Sequence, residues 1–472
     1  MNGAADLAYL VAALLFVAAM KAMASARTAR LGVLLIAAGV LVAVLVALLG
    51  TAPPALTYVY IMAGLLIGAL LGAAAALAVR MAAMPALVAV FNSLGALASA
   101  LVVLAATWTA SPASRTRPFA VAAGITSLIG WAVFTGSLAA FARLQGIVPG
   151  GRPILLPRRR TAALGALAGA ALLIAVLGVA PAQRWPTVPL ALLAAGLGVI
   201  GVLPIGGADL PAAIALLNSL AALAAAGAGV AMVNPGLIIA GALVCASGMV
   251  LAVTMCRAMN RSPAAILRAA VGGGAAGAGA GAVRPIRRWT VEDAAGVLEG
   301  ASRVIIVPGY GLAAARAQHA AKELADLLAA RGAQVRFAIH PAAGRMPGHM
   351  NVLLAEAQVP GELQFDLDAV NADFPDADVA VVIGANDVVN PAARTDAGSP
   401  LYGMPILDAA RARTVLVVNR SDGGGFAGAC NPLFGADNAA MVLGDARDVV
   451  ARINGLLKRG GRAVTPSAPT AG

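Results

Sequence analysis

Apolar residues dominate the first half of the chain in long blocks separated by short basic or turn-forming segments. Crossing about 30 Å of hydrocarbon takes roughly 20 helical residues. Nine blocks before Asn260 approach or exceed that length: Leu7–Met23, Leu31–Leu49, Leu56–Val79, Pro85–Ala106, Phe119–Leu144, Leu164–Val179, Val188–Leu203, Leu210–Val233 and Gly236–Cys256. After a Gly/Ala-rich run from Val271 to Gly281, short β-branched runs alternate with helical stretches. Strands are expected at Val304–Val307, Gln334–Ile339, Leu363–Leu367, Val379–Ile383, Thr414–Val418 and Ala440–Leu443, with one helix over Leu312–Arg331. Strands alternating with helices read as a parallel sheet covered on both faces.

The expected fold is therefore a membrane all-α bundle of about nine transmembrane helices plus a C-terminal α/β Rossmann-like domain with a doubly wound parallel sheet. Its boundaries fall at 1–262 for the bundle, 263–287 for a flexible Gly/Ala linker, 288–460 for the α/β domain and 461–472 for a disordered tail.

Composition supports two solvents for one chain. Hydrophobic residues make up 60% and charged residues 11%, against roughly 25% charged in soluble domains. From Met1 to Arg288 the only acidic residues are Asp6 and Asp209, whereas acids are plentiful from Glu292 onward. The net charge of +12 does not indicate nucleic-acid binding, because the basic residues of the first half lie singly or in short clusters without interleaved aromatics. Most follow the odd-numbered spans: Lys21, Arg27 and Arg30, then Arg80, then Arg143, Arg152 and Arg158 to Arg160, then Arg257, Arg261 and Arg268, while the alternate loops offer only Arg115, Arg117 and Arg184. The positive-inside rule puts the N-terminus outside and the α/β domain in the cytoplasm. The first span lacks a basic leader and eight more follow, so it is expected to remain in the mature protein. Cys245, Cys256 and Cys430 have no metal-ligand spacing and read as reduced and structural.

Polar residues deep in apolar helices are costly unless they face a partner or water. Asn92 lies about 10 Å into the fourth span and Asn218 about 13 Å into the eighth, at ~1.5 Å per residue. Each either lines a proton or water path or forms an interhelical hydrogen bond. Asp209, at the start of the eighth span, either caps that helix or titrates. Nine residues separate it from Asn218, about half a turn round an ideal helix, so the two do not share a face. Glycines spaced by four, Gly64, Gly68 and Gly72, read as a close-packing face.

In the α/β half, Gly309-Tyr310-Gly311-Leu312-Ala313-Ala314 follows the first strand and fits G-x-G-x-x-A in a strand-turn-helix context. Such glycines permit a tight turn and close approach to a pyrophosphate, and a helix N-terminus offers N–H donors to it. The second strand ends in Ile339-His340-Pro341, and Arg345 precedes the next acid, Glu356. An NAD site usually carries an acid there for the ribose hydroxyl, so its absence favours NADP. Two further loops at strand ends, Gly384 to Asp387 and Asn419 to Gly428, complete a ligand-like edge.

The strings Pro308 to Gly311, His340 to Ala357, Gly384 to Asp387, Asn431 to Phe434 and Gly444 to Ala446 resemble the NADP(H) domain of the proton-translocating nicotinamide nucleotide transhydrogenase beta subunit. Gly206 to Asp209, Leu217 to Ser219 and Met255 to Ser262 resemble its membrane half. The resemblance implies NADP(H) bound on this chain, NAD(H) on a partner alpha subunit, and direct hydride transfer between the nicotinamides coupled to proton movement. NADH and NADP+ would give NAD+ and NADPH with inward proton flow. It implies a dimer of alpha-beta units in a bacterial inner membrane, with further helices on the partner, and no acid or base catalyst for the hydride step.

Carried over by motif, Gly309, Tyr310, Gly311, Ala313 and Ala314 would hold the pyrophosphate. Ala343, Gly344, Arg345 and Met346 would lie over the cofactor, and Arg420 and Ser421 would bind the 2′-phosphate. Gly384, Ala385, Asn386, Asp387, Gly425, Phe426, Ala427, Gly428, Gly444, Asp445 and Ala446 would complete the site. Asn92, Asp209 and Asn218 would serve the proton path or its coupling. Two departures stand out. Asn419 replaces a lysine common in the family, and Asn92 stands where a histidine often does; asparagine cannot titrate near neutral pH. A nucleotide-sensing transporter or channel would share the spans and the Gly-rich loop, but would more naturally carry an acid after the second strand. A structural scaffold would not need three Gly-rich loops on one sheet edge.

Overall fold

The computed structural model describes residues 3–23, 28–51, 54–79, 83–148, 158–205, 209–258, 262–264, 266, 285–344, 348–399, 401–423, 425 and 427–460. Nine helices are found among the described residues before position 260. They are α1 (Gly3–Met23), α2 (Ala29–Thr51), α3 (Ala55–Ala78), α4 (Met84–Thr109), α5 (Arg117–Leu144), α6 (Arg159–Val179), α7 (Thr187–Val202), α8 (Leu210–Ala231) and α9 (Pro235–Ala258). Seven are long and apolar enough to cross a membrane; the apolar part of α1, Leu7–Ala22, and α7 are shorter.

Helix starts follow local chemistry. Proline occupies the first turn of α4, α5 and α8, where its missing N–H costs nothing, and the Thr116 side chain caps α5 by accepting from Phe119 N–H. α5 is the hub, packed against α4, α6, α7 and α8. Small residues make this possible: a Cβ on Gly130 of α5 would lie 2.9 Å from Ala100 Cβ and 3.0 Å from the Ala96 carbonyl of α4. At the far end of α5, buried Arg143 donates to the carbonyls of Val202, Leu203 and Ile205, satisfying acceptors that the end of α7 leaves open. The glycines of α3 behave differently from the close-packing expectation. Among the described residues, a Cβ on Gly64, Gly68 or Gly72 would meet nothing within 4 Å, and none of α3 is buried.

The second half holds six strands: β1 (Arg303–Pro308), β2 (Gln334–Ile339), β3 (Gln364–Asp366), β4 (Val379–Ile383), β5 (Thr414–Asn419) and β6 (Ala439–Leu443). All neighbouring pairs are parallel, in the order β3-β2-β1-β4-β5-β6. This is the doubly wound order that reverses direction between β1 and β4 and opens a crevice at the carboxyl edge there. β4 is buried at every position and β1 at all but its first, as expected of strands covered on both faces.

Two expected elements differ. The stretch Leu312–Arg331 is two helices, Tyr310–Ala315 and Gln318–Ala330. Arg316 takes a left-handed φ of 53°, Ala317 N–H donates to the Leu312 carbonyl at 2.9 Å and Arg316 N–H to Ala313 at 3.2 Å, the paired closure of a Schellman end. No glycine or proline marks that break. The expected strand Leu363–Leu367 shortens to three residues, with a 3-10 turn at Gly361–Leu363 before it and the helix Leu367–Val370 after it.

The hydrophobic core of this domain is built entirely from residues between Ile286 and Leu457. Its first anchored segment runs beside β6: Met441 N–H donates to the Arg287 carbonyl and Trp289 N–H to the Met441 carbonyl, both at 2.9 Å. The Gly/Ala run at 271–281 and the tail from 461 lie outside the described residues.

Candidate cofactor site and buried polar residues of the bundle

The crevice between the β1 and β4 exits opens into a cleft of about 450 Å³, a size that suits a small-molecule cofactor. Its wall is drawn from the loops after five strands: Gly309, Tyr310, Gly311 and Ala314 from the β1 turn, Ala343 and Gly344 after β2, Gly384 to Asp387 after β4, Arg420, Ser421 and Gly425 after β5, and Ala446 after β6, while Asn431 to Phe434 do not line it. Ala342, Val388, Val418, Asn419 and Gly423 also line it. Ala342, Asn419 and Gly423 fall within stretches the sequence singled out, whereas Val388 and Val418 carry no motif signal and reach the wall through their neighbours.

The glycine fingerprint acts here in a way the motif does not reveal. Gly309 N–H donates to the Ile383 carbonyl at 2.9 Å and Gly311 N–H to the Gly384 carbonyl at 2.8 Å, so these two amides are committed to the loop after β4. A Cβ on Gly311 would lie 2.6 Å from Gly384 Cα. Gly384 itself has φ +65°. The three glycines thus let the two loops touch along their backbones, and the crevice floor is the product of that contact.

The β4 and β5 loops are laced together. Asn419 Nδ2 donates to the Ala385 carbonyl at 3.2 Å, Asn386 Nδ2 to the Gly423 carbonyl at 2.9 Å, and Ala427 N–H to Asp387 Oδ2 at 2.9 Å. Gly425 leaves room for Asp387, whose carboxylate a Cβ there would strike. Buried Asn431 donates to Asn386 from Nδ2 and caps the next turn by accepting from Leu433 N–H at 3.0 Å. Behind the β2 exit, His340 is 1% exposed; its Nε2 meets the Pro405 carbonyl at 2.8 Å and its Nδ1 accepts from Ala342 N–H at 3.0 Å. Burial pushes its pKa down to about 4, so the ring is neutral and serves as a two-ended strut for the loop.

Some sequence-assigned residues stand off the cleft wall. Ala313 is fully buried beneath it, because that face of its helix meets the sheet. Gly444 N–H donates to the Asn419 carbonyl at 3.0 Å, and Asp445 Oδ1 accepts from Arg447 N–H at 3.0 Å, so both shape the β6 turn. Ala427 and Gly428 follow the wall residues of the β5 loop; Arg345, Met346 and Phe426 lie outside the described residues.

Arg420 and Ser421 put a cation and a hydroxyl on the cleft wall, and no carboxylate stands in the sequence between the end of β2 and Glu356.

In the bundle, Asn92 is 7% exposed, and its Nδ2 has no hydrogen-bond partner among the described residues. Asn218 is half-buried on α8, and the next residue, Ser219, ties α8 to α9 by donating to the Cys245 carbonyl at 2.8 Å. Asp209 immediately precedes α8, and its side chain makes no capping bond to that helix. Sequence reading passed over three more buried hydroxyls on α5, Thr126, Ser127 and Ser137, which also lack partners among the described residues. Short hydroxyl side chains are ordinary in membrane helices, and only packing shows which are left unbonded. Ala342 joins the two halves: it lines the cleft and packs against a cluster of Ile205, Ala212, Ala213, Met255, Cys256 and Ile266.

Fold and cleft together define a class: a multi-span membrane protein bearing a dinucleotide-binding domain. The family model for the NAD(P) transhydrogenase beta subunit matches residues 5–455. Two curated relatives, both the NAD(P) transhydrogenase subunit beta of Rhodospirillum rubrum, are each 45% identical over 455 residues, covering 94% of this chain and 97% of the relative. The chain belongs to the NAD(P) transhydrogenase beta subunit family. It is thus one subunit of an oxidoreductase that also requires an alpha subunit.

Proposed function

We propose that this chain binds NADP(H) in the cleft at the carboxyl edge of its sheet, while an alpha subunit binds NAD(H), and that hydride transfer between the two is coupled to proton movement across the membrane. The observation that carries this reading is the pairing of Arg420 and Ser421 on the cleft wall with a β2 exit that lacks an acid. A guanidinium and a hydroxyl recognise a phosphate, whereas NAD recognition calls for a carboxylate.

When bound, the nicotinamide supplies the hydride chemistry, so the protein's part is proximity and exclusion of water. Tyr310 and Ala314 would hold the pyrophosphate side, Ala343 and Gly344 would cover the cofactor, and Asp387 would fix the two loops beside it. Asn92 and Asn218 would order water within the bundle, and Asp209 would relay the state of the bundle to the cleft. Support for a relay comes from Ala342, which touches both the cleft and the apolar cluster at the ends of α8 and α9. The proposed setting is a bacterial inner membrane, with the N-terminus outside, the α/β domain in the cytoplasm, and alpha-beta units paired as a dimer. Net turnover would take NADH and NADP+ to NAD+ and NADPH with inward proton flow.

The α/β domain has its own core, so a fragment beginning at Pro285 is a fair binding reagent. Its equilibrium affinity for NADPH should exceed that for NADH, and Arg420→Ala should weaken NADPH by about 10- to 100-fold, the worth of a charge-assisted bond. Preference for NADH, or binding of neither nucleotide, defeats the proposal.

A further inference from the structure

Next to the cleft-lining Arg420 and Ser421 stand two acids that do not themselves line the cleft, Asp422 and Asp445, and each meets a different arginine. Arg420 Nε lies 3.8 Å from Asp445 Oδ2, and Arg288 Nη2 lies 3.4 Å from Asp422 Oδ2. Arg420 belongs to the cleft wall, but Arg288 does not. It arrives from 134 residues earlier in the chain, on the segment whose backbone is hydrogen-bonded to Met441 of β6 and whose next residue, Trp289, packs against the core. That anchorage holds the Arg288 side chain beside the β5 loop.

The charges matter because of what this corner would receive. A phosphate monoester carries close to two negative charges at neutral pH. Two arginines and two aspartates sum to zero; without Arg288 the corner would be net negative and would repel the ligand. The Arg288–Asp422 pair is exposed, 66% and 45% by side chain, so it contributes little to fold stability. A dianion within a Debye length nevertheless responds to it.

We propose that Arg288 is a positioning residue for NADP(H) selectivity: by holding and neutralising Asp422 it lets the β5 loop accept a 2′-phosphate beside Arg420. This rests on the cleft being the NADP(H) site. Selectivity is then set partly from the first segment of the α/β domain, Arg287 to Trp289, which is hydrogen-bonded to β6.

The test is equilibrium binding of NADPH and NADH to the full-length chain in detergent. Arg288→Gln should weaken NADPH by about three- to tenfold at low salt, the scale of one charge acting on a dianion through solvent, and leave NADH unchanged. Arg288→Lys should retain NADPH affinity, and adding Asp422→Asn to Arg288→Gln should restore it. The loss should shrink as salt rises. Equal weakening of both nucleotides, or no rescue by Asp422→Asn, would show a merely structural role and overturn the inference. If Arg420→Ala weakens NADPH while Arg288→Gln does not, the inference falls and the NADP(H) site stands. If neither variant alters NADPH binding, the site reading itself falls.

Discussion

His340 shows how a single buried side chain ties the cleft to solution conditions. Its imidazole is neutral in the folded domain because burial lowers its pKa to about 4 from the ordinary 6.5. Below about pH 6.5 the unfolded chain takes up a proton that the folded domain refuses. The contribution of this site to stability is therefore complete above pH 6.5 and is lost as the pH falls toward 4, by about 3 kcal/mol in all. Urea unfolding of the α/β domain at a series of pH values should show that decline, and His340→Gln should flatten it; an equally steep decline in the variant would assign the proton uptake elsewhere. Other residues of the cleft wall could be picked out from the sequence, but not always for the right reason. The glycines of the β1 turn were identifiable by spacing, yet Gly311 is required by Gly384, which lies far along the chain. Asp387 stood out as a loop acid, but its bond to Ala427 N–H depends on two strand exits lying side by side.

At the scale of elements, periodicity located the nine helices of the first half and the six strands found among the described residues, because a bilayer and a doubly buried sheet each impose uniform apolar runs. It failed where closure is local. The break at Arg316 contains no glycine or proline, and only the bonds from Arg316 and Ala317 back to Ala313 and Leu312 reveal it. Small-residue spacing was similarly ambiguous. Gly130 on α5 sits against Ala96 and Ala100 of α4, whereas Gly64 on α3 faces open space in this chain. Gly130→Leu should accordingly lower stability by about 1–3 kcal/mol or more through overpacking, while Gly64→Leu should have little effect on the isolated chain. Thermal unfolding midpoints of the two variants in detergent would check this. Matching shifts would mean that the α4–α5 contact is not selective for small residues.

For the whole molecule, the issue is how a bundle with very few carboxylates converses with a cleft in another solvent. Asp209 precedes α8 without capping it, and the start of α8 contributes Ala212 and Ala213 to the cluster on which Ala342 packs. Asp209→Asn should uncouple proton movement from hydride transfer in vesicles reconstituted with the alpha subunit, while leaving NADPH binding to the α/β domain intact. Undiminished proton pumping by that variant would remove Asp209 from the coupling path. The amino-acid sequence alone determined the division into a membrane half and a nucleotide-binding half, since the choice of solvent is written in local composition and strand–helix alternation. It also located most of the cleft loops, because tight turns at strand ends call for glycine and small polar residues next to one another in the chain. Only the tertiary structure decided which polar groups in the bundle go unbonded, which glycines meet a neighbour, and that Arg288 stands beside Asp422. Those are contacts between distant segments, and they exist only once helix packing and strand order have brought the segments together.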